Sequence, residues 1–288
     1  MKITSKFYSL LNKILFVSLT CNLALAPTTA NASILNASAG GTFTFNYDSA
    51  ALGQYVYGSA NNNNGYYLAN FWNTTASDPY NPNNIKSHFA SSVGSIQIPA
   101  TNLAHDVTPI GSYTDPQASG RHVQGTSANF AVDSNTLAGV TGAQLGMTGL
   151  QGYRMPDYPA PYNYMLAGDF SLAYDLSARV SAWNGVASTT PTGWYIQNNL
   201  SFRLVTYDLA NLSLLFTDAN NWKLSGNLLM SPDYAGMLLG PNFTDVGTFN
   251  LAIGSYAVSS VPLPATVWIF LTGLMGLMAG GRRKTQVA

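Results

Sequence analysis

The chain reads as an all-β protein, an antiparallel β-sandwich of jelly-roll-like layout, and three observations predict it. The 288 residues contain no Glu, and few strong helix formers remain between residues 33 and 259, where Gly, Asn, Ser, Thr and Tyr are plentiful. Such a composition disfavours long helices and suits turns and pleated strands. Thr42-Phe43-Thr44-Phe45-Asn46-Tyr47 alternates with period two, which sends its aromatics to one face of a strand. Further strand-like runs follow at intervals typical of a sandwich, separated by loops rich in Gly, Asn, Asp and Pro.

In chain order those runs are 42–47, 93–98, 127–132, 170–174, 194–207, 212–217, 223–230 and 246–253. Residues 61–65 and 77–84 read as loops, the second punctuated by Pro79 and Pro82. Residues 151–163 (QGYRMPDYPAPYN) hold three closely spaced prolines and are expected to be irregular, either a long loop across one sandwich or a boundary between two halves. Helices should be short and rare.

Both ends differ from this body. Residues 1–32 have the layout of a signal peptide: Lys2, Lys6 and Lys13, an apolar stretch over 14–26, then Ala30-Asn31-Ala32. Ala30 and Ala32 supply the small residues that signal peptidase requires, placing the cut before Ser33. The lone Cys21 lies in the leader, so the mature chain contains no thiol and no disulfide. Residues 260–288 contain Val261-Pro262-Leu263-Pro264-Ala265, no charged residue from Val261 to Gly281, and then Arg282-Arg283-Lys284. About 20 helical residues cross the ~30 Å hydrocarbon core, and Lys and Arg hold the cytoplasmic side. Pro262 and Pro264 keep the approach to that span extended, the form in which a protease binds backbone.

This order of parts resembles the PEP-CTERM class of exosortase substrates, in the variant whose motif is VPLPA. The matching residues are Val261, Pro262, Leu263, Pro264 and Ala265, then Val267-Trp268-Ile269-Phe270, Gly273-Leu274, Gly276-Leu277 and Arg282-Arg283-Lys284. The resemblance implies a precursor anchored in the inner membrane, cut by an exosortase-type membrane protease and released to the cell surface or an exopolysaccharide matrix. Segments of the second half, among them Gly193-Trp194-Tyr195 and Asp245-Val246-Gly247-Thr248-Phe249, are similar to stretches of other VPLPA-tailed secreted proteins. They imply an exported β-domain and no particular activity.

The composition of the body, residues 33–259, narrows its function. Twelve Asp against six Lys and Arg leave it near −6, which argues against nucleic acid as a partner. Charged residues make up only 8% of the chain, so solubility rests on amide and hydroxyl groups, the same groups that recognise polysaccharide.

Motifs for catalysis are thin. There is no G-x-S-x-G or H-E-x-x-H motif, and without Glu the paired-carboxylate design of glycosidases would need Asp alone. His88, His105 and His122 stand 17 residues apart, which is no local metal-ligand spacing. Asp133-Ser134-Asn135 and Asp218-Ala219-Asn220-Asn221 offer oxygen ligands suited to calcium, but Asp-Asn turns are commoner as hairpin connectors. Trp72, Trp183, Trp194, Trp222 and the Tyr66-Tyr67 pair could stack on sugar rings or fill the core. The sequence therefore predicts a non-enzymatic surface or matrix protein without cofactor or metal, linked to exopolysaccharide. The alternatives are a carbohydrate-binding module using exposed Trp and Tyr, or a secreted hydrolase with a dispersed Asp/His/Ser site.

Overall fold

The computed structural model describes residues 32–56, 65–72, 97–111, 122–157, 163–183, 192–200 and 203–257. Ala30, the sorting motif Val261–Ala265 and the basic trio Arg282, Arg283 and Lys284 lie outside the described residues. Ala32 is exposed and in no regular element.

The elements run β1 (Ile34–Asn36), β2 (Gly41–Tyr47), α1 (Ser49–Leu52), β3 (Tyr67–Trp72), β4 (Leu103–Asp106), β5 (Ala131–Asp133), β6 (Gln144–Gly146), β7 (Leu150–Arg154), β8 (Tyr164–Gly168), β9 (Ser171–Tyr174), α2 (Leu176–Trp183), β10 (Trp194–Asn198), β11 (Leu204–Asp218), β12 (Asn221–Met230), α3 (Pro232–Met237) and β13 (Asp245–Ile253). A 3-10 turn at Gly254–Tyr256 follows. The expected all-β, sandwich-like character is present: among the described residues every strand pair is antiparallel, and the helices have four, eight and six residues.

Eight strands form the main sheet in the order β4-β2-β13-β12-β11-β10-β9-β6. From β9 to β13 this is a plain meander, where a jelly roll would alternate between layers. The sheet curls until its two edge strands meet. Val107, just past β4, bridges Met147, just past β6, and the Thr108 and Thr148 amides donate across the seam to Gly146 and Asp106 carbonyls, each at 2.9 Å. The outer edge of β6 is covered as well. Gly146 donates to Thr126 Oγ1 at 3.2 Å, and Ser127 donates to the Gln144 carbonyl at 2.8 Å. A Cβ on Gly146 would lie 1.8 Å from the Gln124 carbonyl oxygen, so glycine is what lets this segment lie so close. Joining and covering edges in this way removes sites for unwanted strand pairing.

The alternation predicted for β2 is realised. Phe43, Phe45 and Tyr47 are buried, while Thr42, Thr44 and Asn46 are half-buried on the other face. Phe43 stacks on Phe249 of β13 at 5.4 Å between ring centroids, and Phe45 meets Phe170 at 5.3 Å. Burying each such ring contributes roughly 1.5–3 kcal/mol.

Smaller sheets complete the core. The β1–β5 ribbon lies by the β11–β12 hairpin: Asn36 donates to Ala219 O at 2.9 Å, and its own carbonyl accepts from Trp222 Nε1 at 2.6 Å. The β3-β7-β8 sheet adds Leu68, Tyr153 and Ala167 to the same hydrophobic cluster, next to Tyr47 where β2 ends.

Several elements depart from expectation. Residues 150–154 are strand β7, because the prolines of the 151–163 segment begin only at Pro156 and leave QGYR free to pair. The run 194–207 divides into β10 and the start of β11. Conversely, β11 continues through 208–211, which looked like a break, because Asn211 takes a positive φ of 51° and the strand bulges instead of turning. Of the run 93–98 only residues 97 and 98 are described, and they belong to no strand.

Candidate functional site

The sequence-predicted aromatics divide sharply. Trp194 and Trp222 are core residues, not glycan contacts, with exposures of 1% and 0%. Their positions on the inward face of β10 and β12 bury both ring faces. Their indole N–H groups donate to Leu137 O at 2.7 Å and Asn36 O at 2.6 Å, fastening the β1–β5 ribbon to the main sheet. Tyr66 is buried too. Trp183 ends α2, and its side chain lies outside the described residues.

Trp72 is half-buried on the outer face of the small sheet. It packs with Tyr67 and Tyr164 around Leu150, Leu166 and Leu200. Strand register places Tyr67, Arg154 and Tyr164 in one row across β3, β7 and β8. The Arg154 guanidinium lies 6.0 Å from the centre of the Tyr164 ring. Burial lowers its pKa from the ordinary arginine value, opposed by the neighbouring Tyr67 and Tyr164.

The second feature is a surface depression of about 410 Å³ lined by Gly111, residues 123–128 and Gln144. Covering the β6 edge creates it. Thr108 Oγ1 donates to Gln124 O at 2.8 Å and Thr126 Oγ1 donates to Thr108 O at 2.7 Å, pinning the wall. Gln144 Nε2 donates to Gln124 Oε1 at 3.3 Å, and Gln124 Nε2 donates to His122 O at 2.6 Å. Thr126 is buried with its hydroxyl engaged, which leaves Gln124, Ser127 and Gln144 as the polar lining side chains, all neutral donor–acceptor groups. Such a set can hydrogen-bond a polyhydroxyl ligand. Sequence reading missed Gln124 and Gln144, since a glutamine in an irregular segment or in a three-residue strand leaves no periodic signal.

The histidines do not converge. His105 sits at 0% exposure, while His122 is exposed and its backbone donates to Asp169 Oδ2 at 2.8 Å; His88 lies outside the described residues. His105 Nδ1 donates to the Thr148 carbonyl at 2.5 Å, which makes Nε2 the acceptor for Gln151 Nε2 at 3.0 Å. Gln151 Oε1 then accepts from Tyr47 at 2.8 Å and Tyr153 at 2.5 Å. The network is structural, shut away from solvent and fixing the imidazole tautomer. Asp106 is exposed, on the opposite face of β4 from His105, so the adjacent pair cannot act as a catalytic couple. Tyr66 and Tyr234 share a hydrogen bond at 2.8 Å beside this network, and the Tyr207 hydroxyl is buried with no hydrogen bond among the described residues.

The two candidate calcium segments are turns closed on themselves. Asp133 Oδ1 accepts the amides of Asn135 and Thr136 at 2.9 and 2.8 Å. Asp218 Oδ1 accepts the Asn220 amide at 2.8 Å, and Asn221 Nδ2 reaches both of its oxygens. These bonds hold both carboxyls below the ordinary aspartate pKa, the backbone donors first. Among the described residues, no group of three or more His, Cys, Asp or Glu is placed to hold a metal ion. No family model, curated protein or solved structure matches the chain.

Proposed function

We propose that the chain is an exported surface or extracellular-matrix protein of a Gram-negative bacterium. Its sandwich-like β-domain is released from an inner-membrane precursor by an exosortase-type cut at its tail. The observation that carries this reading is the order of parts in residues 260–288: VPLPA, a charge-free span from Val261 to Gly281, and Arg282-Arg283-Lys284 at the far side. Signal peptidase acts first, at Ala30-Asn31-Ala32, and the role of the released body is non-enzymatic.

The body's partner is exopolysaccharide. Two features support that choice: the neutral depression around Gln124 and Gln144, and the row of Tyr67, Arg154 and Tyr164 beside Trp72. Amides, hydroxyls and aromatic faces are the groups that bind sugar polymers, and the body's net charge near −6 disfavours a phosphate backbone.

Intact mass of the protein recovered from envelope and medium tests the sorting reading. A chain beginning at Ser33 and ending within Val261–Ala265 supports it. A chain running through Ala288 in every fraction overturns it. Co-sedimentation of the released body with extracellular polymer tests the partner.

A further inference from the structure

Both limits of the described domain lie at the tip of the β11–β12 hairpin. On the N-terminal side, Asn36 donates to Ala219 O and Ser38 Oγ bonds Asn220 Oδ1 at 3.0 Å. On the C-terminal side, Ser255 donates to Asn221 Oδ1 at 2.7 Å and Gly254 donates to Gly40 O at 3.0 Å. The described chain stops at Ala257, four residues before Val261, the first residue of the VPLPA tail. Four extended residues reach at most about 14 Å. The C-terminal end of the described domain, bonded to the hairpin tip through Ser255, is thus tethered close to the tail.

This same end exposes apolar side chains: Leu215 at 58%, Phe216 at 41% and Ile34 at 59%. Leu215 and Phe216 point to opposite faces of β11, so the hairpin is apolar on both sides near its tip. Beyond Asp208, no described strand pairs with the other edge of β11. Lys223 is the direct partner of Leu215 on β12 and shares its face, where its stem can lie along apolar surface and its ammonium reach an anionic headgroup. The Asp218 carboxylate at the tip is taken up by Asn220 and Asn221, a polar cap suited to the wet headgroup zone.

We infer that in the uncut chain this tip rests on the bilayer interface, with Leu215, Phe216 and Ile34 against lipid and Lys223 at the headgroups. The inference rests on the reading of the tail as a membrane segment. It fixes the orientation of the domain: the end where β2 finishes, with Leu239 at 54% exposure, points away from the membrane.

The test uses the leader-free chain, residues 33–288, which has no cysteine of its own, with Phe216→Cys or Leu239→Cys labelled by an environment-sensitive dye. It is reconstituted into phosphatidylethanolamine–phosphatidylglycerol vesicles with brominated acyl chains. The expected result is a blue shift and strong quenching at position 216, with unshifted, unquenched emission at position 239. If the chain floats with the vesicles but position 216 is as aqueous as position 239, the inference fails while the membrane tail stands. If the chain does not float, the tail reading fails and takes the inference with it. A label at 216 that is shielded without lipid quenching, and that cross-links copy to copy, overturns the inference in favour of a second chain on the patch.

Discussion

Arg179 on α2 and Asp208 on β11 form a two-pronged ion pair, Nε to Oδ1 at 2.6 Å and the second prong, to Oδ2, at 2.7 Å, with side-chain exposures of 8% and 1%. The guanidinium also lies 5.7 Å from the centre of the Tyr195 ring. Replacing one member leaves the other charged and nearly dry. Arg179→Met or Asp208→Leu alone should each lower stability by about 3–5 kcal/mol, and the double replacement should cost much less than their sum. Urea midpoints of the four proteins check this; additive losses would mean that the two side chains act independently.

Gln151 joins His105 to Tyr47 and Tyr153, using one amide group for three partners. Gln151→Leu should leave these buried groups unpaired and lower stability by about 2–5 kcal/mol. Thermal denaturation reads the loss. A change within about 0.5 kcal/mol would place the network outside the determinants of stability.

Five tyrosines, Tyr47, Tyr66, Tyr153, Tyr207 and Tyr234, are fully buried and crowded together. Burial is the leading cause that pushes each hydroxyl above the ordinary value of 10, with Tyr207 pushed up to about 12. In the unfolded chain they ionise near 10, so the folded state holds more protons above that pH. Their contribution is fully present below pH 10 and is lost as pH rises through the folded values. Absorbance at alkaline pH should show these tyrosines ionising only with cooperative unfolding. Smooth ionisation of every tyrosine near pH 10 would contradict the buried cluster.

Gln124→Ala and Gln144→Ala remove neutral amides from the depression without touching the core. Each should weaken retention on the native exopolysaccharide by roughly two- to tenfold, a hydrogen bond's worth, and lower the melting temperature by no more than about 5 °C. Trp72→Ala measured beside them tells which of the two surfaces meets sugar. Unaltered retention in all three would remove both.

The sequence made β2, β9, β12 and β13 legible because their alternation or apolar runs match one buried face. It left β3, β4, β6 and β8 obscure, since short strands of Gly, Ala, Gln and Tyr carry no clear period. The aromatics were the ambiguous case. A Trp bracketed by polar residues, as in Asn221-Trp222-Lys223, looks like a surface platform, yet the pleat turns only the Trp inward. The depression was illegible because it arises where residues 123–128 happen to cover the edge of β6, a contact that only the fold specifies.

The place of β13 sets the order in which this protein can be finished. It lies between β2 and β12 near the middle of the curled sheet, pairing Gly247 through Ile253 with Tyr47 through Gly41. A chain threaded across a membrane from its N-terminus therefore carries β2 and β4 without their central neighbour until almost the whole body has crossed. Ile253 is only eight residues ahead of Val261. On the export route proposed above, completion of the domain and arrival of the tail at the bilayer would coincide, and the chain offered for cutting would be one that had only just become able to fold.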